Sequence, residues 1–196
     1  MRIGILGDIH ANTEALTAVV KALREDRVDV YVQVGDIVGY GPEPSRCIDI
    51  VRELGCVTCM GNHDAAVLDL LDTSYFNNFA RAAIHWTRPR LRPEDFEFLR
   101  GLQLVERRPP FTVVHGSLHM PDQFGYVISP VEAIDSLLPL ERCLPGAPTA
   151  IAPTATQAGA VSDLDAELTR LEVSLLAGRP GRDVAATAAL RVRAEA

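Results

Sequence analysis

"RIGILGDIHAN", residues 2–12, decides the reading of everything that follows it. The largely apolar opening reads as a buried strand, and it runs into a polar stretch where Asp8 and His10 stand two residues apart. On extended backbone that spacing presents both side chains to one side, as two metal ligands or an acid and its orienter would require.

The same plan recurs downstream. Thr13 to Glu25 carries Leu16, Val19, Val20 and Leu23 at helical spacing, "VDVYVQV" (28–34) reads as a second strand, and "PSRCIDIVREL" (44–54) as a second helix opening on Pro44. "CVTCM" (56–60) is the third strand, which gives β-α-β-α-β and so a parallel sheet with right-handed crossovers. Each strand ends in a glycine-marked polar signal: "GDIH" (7–10), "GDIVGYG" (35–41) and "GNHD" (61–64). Asp8, Asp36 and Asn62 are 28 and 26 residues apart, one β-α unit each, so they fall at the carboxyl ends of neighbouring strands, where open α/β sheets bind ligands. Two amphipathic segments broken at Pro89 and Pro93 fill 65–102, and "PFTVVHG" (110–116) brings His115 to a fourth strand end.

The collected set is Asp8, His10, Asp36, Asn62, His63 and His115. Carboxylate, imidazole and amide donors without thiolates suit divalent Mn, Fe or Zn rather than a structural zinc site. An aspartate shared by two ions, with separate ligands for each, would activate a water for in-line displacement at phosphorus.

With 47% hydrophobic residues the 196-residue chain can bury a sizeable core. Its net charge of −7 leaves no diffuse basic surface, so nucleic acid is expected only as a phosphodiester substrate. No apolar stretch approaches the roughly 20 residues that cross a bilayer, and the N-terminus lacks a signal-peptide layout, so no membrane partner and a cytoplasmic location are expected. Cys47, Cys56, Cys59 and Cys143 do not form a disulfide framework, and Cys56 and Cys59 read as strand residues. The oligomeric state is left open.

These motifs resemble the calcineurin-like metallophosphoesterases, and most closely their small bacterial phosphodiesterase-type members. "GDIHAN", "GDIVGYGP", "GNHD" and "VVHG" match the D-x-H, G-D-x-x-x-x-G, G-N-H-D/E and H-G motifs in order, and "FNNFARAAIHWTR" (76–88) echoes a helix of those members. The resemblance covers residues 1–138. It implies an α/β fold in which a β-sandwich of two mixed sheets is flanked by helices. It also implies two divalent ions (Mn, Fe, Zn or Ni), with Asp8 and His10 on one, Asp36 bridging, and Asn62 and His115 on the other. His63 would face the substrate and assist the leaving-group oxygen, with Asp64 orienting it. Asp64 could equally cap a helix beginning near Ala65.

The implied activity is metal-dependent hydrolysis of a P–O bond in a small phosphorylated substrate, a phosphodiester above all. The alternative is a catalytically impaired relative that binds a metal or a phospho-ligand. That alternative arises because the family's further G-H-x-H motif has no counterpart after His119, the last histidine of the chain. The region where it belongs, "LERCLPGAPTAIAPTATQAG" (140–159), reads as a diverged or frame-shifted segment. His119 is a candidate substitute ligand, Tyr40 either lines the entrance or packs a turn, and His85 sits on a helix away from the site. An atypical Ala/Pro/Thr-rich linker is expected over 139–163 and a helical segment over 164–196.

Overall fold

The computed structural model describes residues 1–141, 171–176 and 188–194. Strand β1 (Arg2–Gly7), helix α1 (Thr13–Glu25), strand β2 (Val30–Gln33), helix α2 (Pro44–Glu53) and strand β3 (Val57–Thr58) follow the expected order. β1 and β2 pair in parallel with Ile3 opposite Val30, and β2 and β3 do so with Val32 opposite Val57. Three short helices come next: α3 (Asn62–Val67), α4 (Asn78–Thr87) and α5 (Pro93–Arg100). Strands β4 (Val105–Arg108) and β5 (Phe111–Val114) form an antiparallel pair, and helix α6 (Pro130–Glu141) follows. The protein is thus a mixed α/β molecule.

Local chemistry accounts for these elements. The Asn12 side chain accepts the Ala15 N–H at 3.0 Å and starts α1, whose Leu16, Val20 and Leu23 are buried at the spacing of one helix face. Pro44 occupies the first turn of α2, where its missing N–H costs nothing, and Cys47, Ile48 and Val51 face inward. These two helices share a core with Leu6, Ile9, Ile37 and Met60. Leu6, Leu16 and Leu23 are 0% exposed, each contributing roughly 2 kcal/mol by burial. A second cluster joins Ile3, Val32 and Cys59 to Val113 of β5. The strands that carry the site are therefore apolar on both faces, which is why "RIGIL" does not alternate.

The end of the chain differs from the helical expectation. Leu171–Leu176 and Ala188–Ala194 are strands, β6 and β7, and the large sheet has the order β3-β2-β1-β7-β6. β7 runs antiparallel to β1 with Arg2 opposite Arg193 and Gly7 opposite Ala188. The alternation in "LEVSLL" and "LRVR" outweighs alanine's helical preference, because β7 pairs with the edge of β1 along six residue pairs. Of the two sheets, only this one is mixed; among the described residues the other is the antiparallel β4-β5 pair. Helix α6 continues through Pro139, and most of the linker expected over 139–163 lies outside the described residues. Cys47, Cys56 and Cys59 are free thiols.

Asp95 fastens α5 to α2. Its buried carboxylate accepts from Ser45 Oγ at 2.5 Å, from the Arg92 N–H at 2.8 Å and from the Arg92 guanidinium at 2.7 Å, and Arg92 also reaches Asp49. Burial pushes the Asp95 carboxyl up, but the Arg92 and Ser45 bonds prevail and hold it below its ordinary value. The native state therefore binds fewer protons here than the unfolded chain. The stabilisation is complete above the unfolded pKa and is lost as pH falls through the lowered folded value. Asp95→Ala is expected to lower stability by about 2 kcal/mol at neutral pH, with the difference from wild type shrinking in acid. Urea unfolding at a series of pH values measures both.

Candidate metal centre

Every expected donor leaves the carboxyl end of a strand. Asp8 and His10 follow β1, Asp36 follows β2, Asn62 opens α3 after β3, and His115 follows β5. The loops are laced together: His10 N–H donates to the Asp36 carbonyl at 3.0 Å, Ala11 N–H to that of Ile37 at 2.8 Å, and Gly41 N–H to that of His10 at 2.9 Å. Asp8 and His10 do not lie on extended backbone, however. Their φ angles are 50° and 48°, and that of Asp36 is 58°, all left-handed, so strand alternation is not what aims them. Such conformations cost non-glycine residues about 1 kcal/mol or more each and persist only where surrounding contacts impose them.

Asp36 is the centre of the arrangement. Its Oδ1 accepts the His63 N–H at 2.9 Å, while its Oδ2 lies 3.8 Å from His10 Nε2 and 3.7 Å from His115 Nε2. Asp8 Oδ1 is 3.8 Å from the same His10 nitrogen. The other ring nitrogens are occupied by backbone carbonyls, His10 Nδ1 with Val38 at 3.1 Å and His115 Nδ1 with Val34 at 2.7 Å. A carbonyl only accepts, so Nδ1 carries a proton in both rings and each Nε2 faces inward. His115 Nε2 in turn faces Asn62 Oδ1 at 3.0 Å.

Two compact donor groups result, His10 with Asp36 and His63, and Asp8 with Asp36 and His115, each spanning no more than 4.8 Å. Asp36 belongs to both. Burial pushes the Asp36 carboxyl well above its ordinary range, and the nearby Asp64 charge adds to it; burial lowers His10. A carboxylate whose charge is disfavoured by burial gains from a compensating cation, and carboxylate, imidazole and amide donors together fit divalent metal. His119 joins neither group, and the suggestion that it substitutes for a missing ligand finds no support among the described residues.

Asp64 caps the helix that follows β3 by accepting the N-cap Gly61 N–H at 3.0 Å. Helix α3 begins at Asn62 rather than near Ala65, which puts Asp64 in its first turn. Its fully buried carboxylate accepts four backbone N–H groups, those of Gly61 at 3.0 Å, Asp36 at 2.8 Å, Ile37 at 3.0 Å and Val38 at 3.2 Å. None of these bonds goes to the His63 ring, whose buried Nδ1 has no hydrogen-bond partner. Burial raises the Asp64 carboxyl to about 6, while the backbone N–H donors around it oppose the shift. Burial likewise lowers His63 to about 3, with His10 and His115 adding to the effect, so its ring is neutral. Gly61 is required by close approach: a Cβ there would overlap the Asp36 amide and carboxylate.

Sequence reasoning missed the Val34 and Val38 carbonyls, because backbone groups leave no trace in residue identity. It also missed Phe76, whose ring centroid is 5.3 Å from that of His63, and Phe124, 6.1 Å from His115.

Residues 1–154 match the model of the calcineurin-like phosphoesterases. The chain belongs to that family. The chain is 41% identical to a metallophosphoesterase from Sphaerobacter thermophilus whose crystal structure superposes with a TM-score of 0.55, over 65% of this chain and 51% of that one. An uncharacterised protein of Methanocaldococcus jannaschii is 39% identical over 103 residues, 53% of this chain and 42% of that protein. Serine/threonine-protein phosphatase 1 of Salmonella typhimurium is 35% identical over 69 residues, 33% of this chain and 31% of that protein. The chain thus spans less than half the length of the curated relatives it matches.

Asp64→Ala would leave four buried N–H groups without an acceptor and is expected to cost about 3 kcal/mol or more, measured by urea unfolding. Gly61→Ala is expected to weaken Mn²⁺ binding at least about tenfold, measured by titration calorimetry, through displacement of Asp36.

Proposed function

We propose that this chain is a metal-dependent phosphoesterase whose preferred substrates are small phosphodiesters. The observation that carries the reading is Asp36 Oδ2, placed between His10 Nε2 and His115 Nε2 at 3.8 and 3.7 Å with both rings fixed through Nδ1. On this reading Asp8 and His10 would hold one divalent ion and Asn62 and His115 a second, with Asp36 contributing to both; when bound, such ions would supply Lewis acidity for activating a water and offsetting phosphoryl charge. The chain's own residues do the rest. Asp64 fixes the loop bearing Asp36 against the turn bearing Asn62, and His63 stands beside the donors to assist the departing oxygen. The fold that goes with this reading is a sandwich of two sheets, supported by Val113 packing on Ile3 and Val32. Mn, Fe, Zn and Ni all suit the donors, and among the described residues no helix is long and apolar enough to cross a membrane, which is consistent with a cytoplasmic setting.

Hydrolysis of bis(p-nitrophenyl) phosphate with added Mn²⁺, against an EDTA control, tests the proposal. Asp36→Asn and His63→Ala are each expected to lower kcat/KM by about 100-fold or more while circular dichroism stays native. Wild-type turnover in the Asp36 variant would overturn the reading. Tight metal binding without any turnover would instead favour a binding module, the outcome that the absent G-H-x-H motif raises.

A further inference from the structure

Tyr40 is a conspicuous residue of the site that the reaction itself does not use. It stands between Gly39 and Gly41 with φ 57°, a left-handed conformation that an aromatic residue seldom adopts and that either flanking glycine would tolerate more cheaply. Backbone strain of this kind is retained where the side chain has a task. The Tyr40 ring centroid lies 4.8 Å from that of His10 and 4.8 Å from that of His63, so it adjoins the donor cluster directly. Yet the residue stays 43% exposed, with much of its surface open to an incoming group. Phe76 flanks His63 as well, and Phe124 borders His115, so aromatic rings adjoin both of these histidines.

From this placement, and resting on the phosphoesterase reading above, we infer that Tyr40 is a specificity-determining platform, and that the preferred substrates carry a planar aromatic group, a nucleobase or a simple aryl ring, next to the phosphorus. An aromatic group stacked on Tyr40 gains dispersion and quadrupole complementarity that an alkyl group of equal size does not. The phosphoryl group would meanwhile rest against His63 and the donors.

The test is calorimetric titration of the full chain, with Mn²⁺ present, by three non-hydrolysable phosphonates: phenylphosphonate, the phosphonate isostere of adenosine 5′-phosphate, and propylphosphonate. Wild type is expected to bind at least one aromatic probe about 5-fold or more tighter than propylphosphonate. Preference for the adenosine probe alone identifies a nucleobase, and preference for the phenyl probe alone a small aryl group. Tyr40→Leu is expected to abolish the preference and Tyr40→Phe to keep it, with both variants melting cooperatively. Equal affinities in wild type, a preference unchanged in Tyr40→Leu, or no binding of any probe would overturn the inference. Metal-dependent turnover without aromatic preference would remove this inference and leave the phosphoesterase reading standing. Aromatic preference without turnover would remove the phosphoesterase reading and the substrate claim that rests on it, leaving Tyr40 only as a platform for an aromatic ligand.

Discussion

The centre depends on one carboxylate that need touch neither metal nor substrate. Asp64 gathers the N–H groups of Gly61, Asp36, Ile37 and Val38, and so ties the loop after β2 to the turn after β3. An acceptor-only group with four donors around it is among the strongest local constraints a buried loop can have. The Val38 carbonyl, held by this clamp, fixes the His10 ring, and the Asp36 carboxylate is held between His10 and His115. Loss of the clamp would release donors contributed by three different strands.

The second constraint is conformational. Asp8, His10, Asp36 and Tyr40 all take left-handed backbone, which their residue types disfavour, and they are crowded into two short loops. The apolar sheet beneath supplies the compensation. β1 and β2 are covered on one face by α1 and α2 and on the other by Val113 and its neighbours, so the strand ends cannot drift. Stability stored in the core thereby holds the donor set in place, with Asp36 desolvated among its neighbours.

Much was legible beforehand, for definite reasons. The β-α repeat shows in hydrophobic spacing, and the regular distance from Asp8 to Asp36 to Asn62 follows from the length of a β-α unit, so their convergence at one sheet edge could be argued without coordinates. The last segment was misread because alanine-rich composition favours helix locally, whereas strand β7 exists through its pairing with β1 across almost the whole length of the chain. Local sequence cannot register a partner so distant.

By itself the sequence determined the order of strands and helices from β1 to β3, the candidate donors and the sheet edge at which they meet, since all of these follow from periodicity and spacing. Only the tertiary structure decided how the donors point. Left-handed turns rather than strand alternation aim Asp8 and His10, backbone carbonyls select the histidine tautomers, and Asp64 serves as a clamp instead of steering His63. Those outcomes depend on backbone groups that every residue shares, brought together by folding, and so no pattern of side-chain identities can encode them singly.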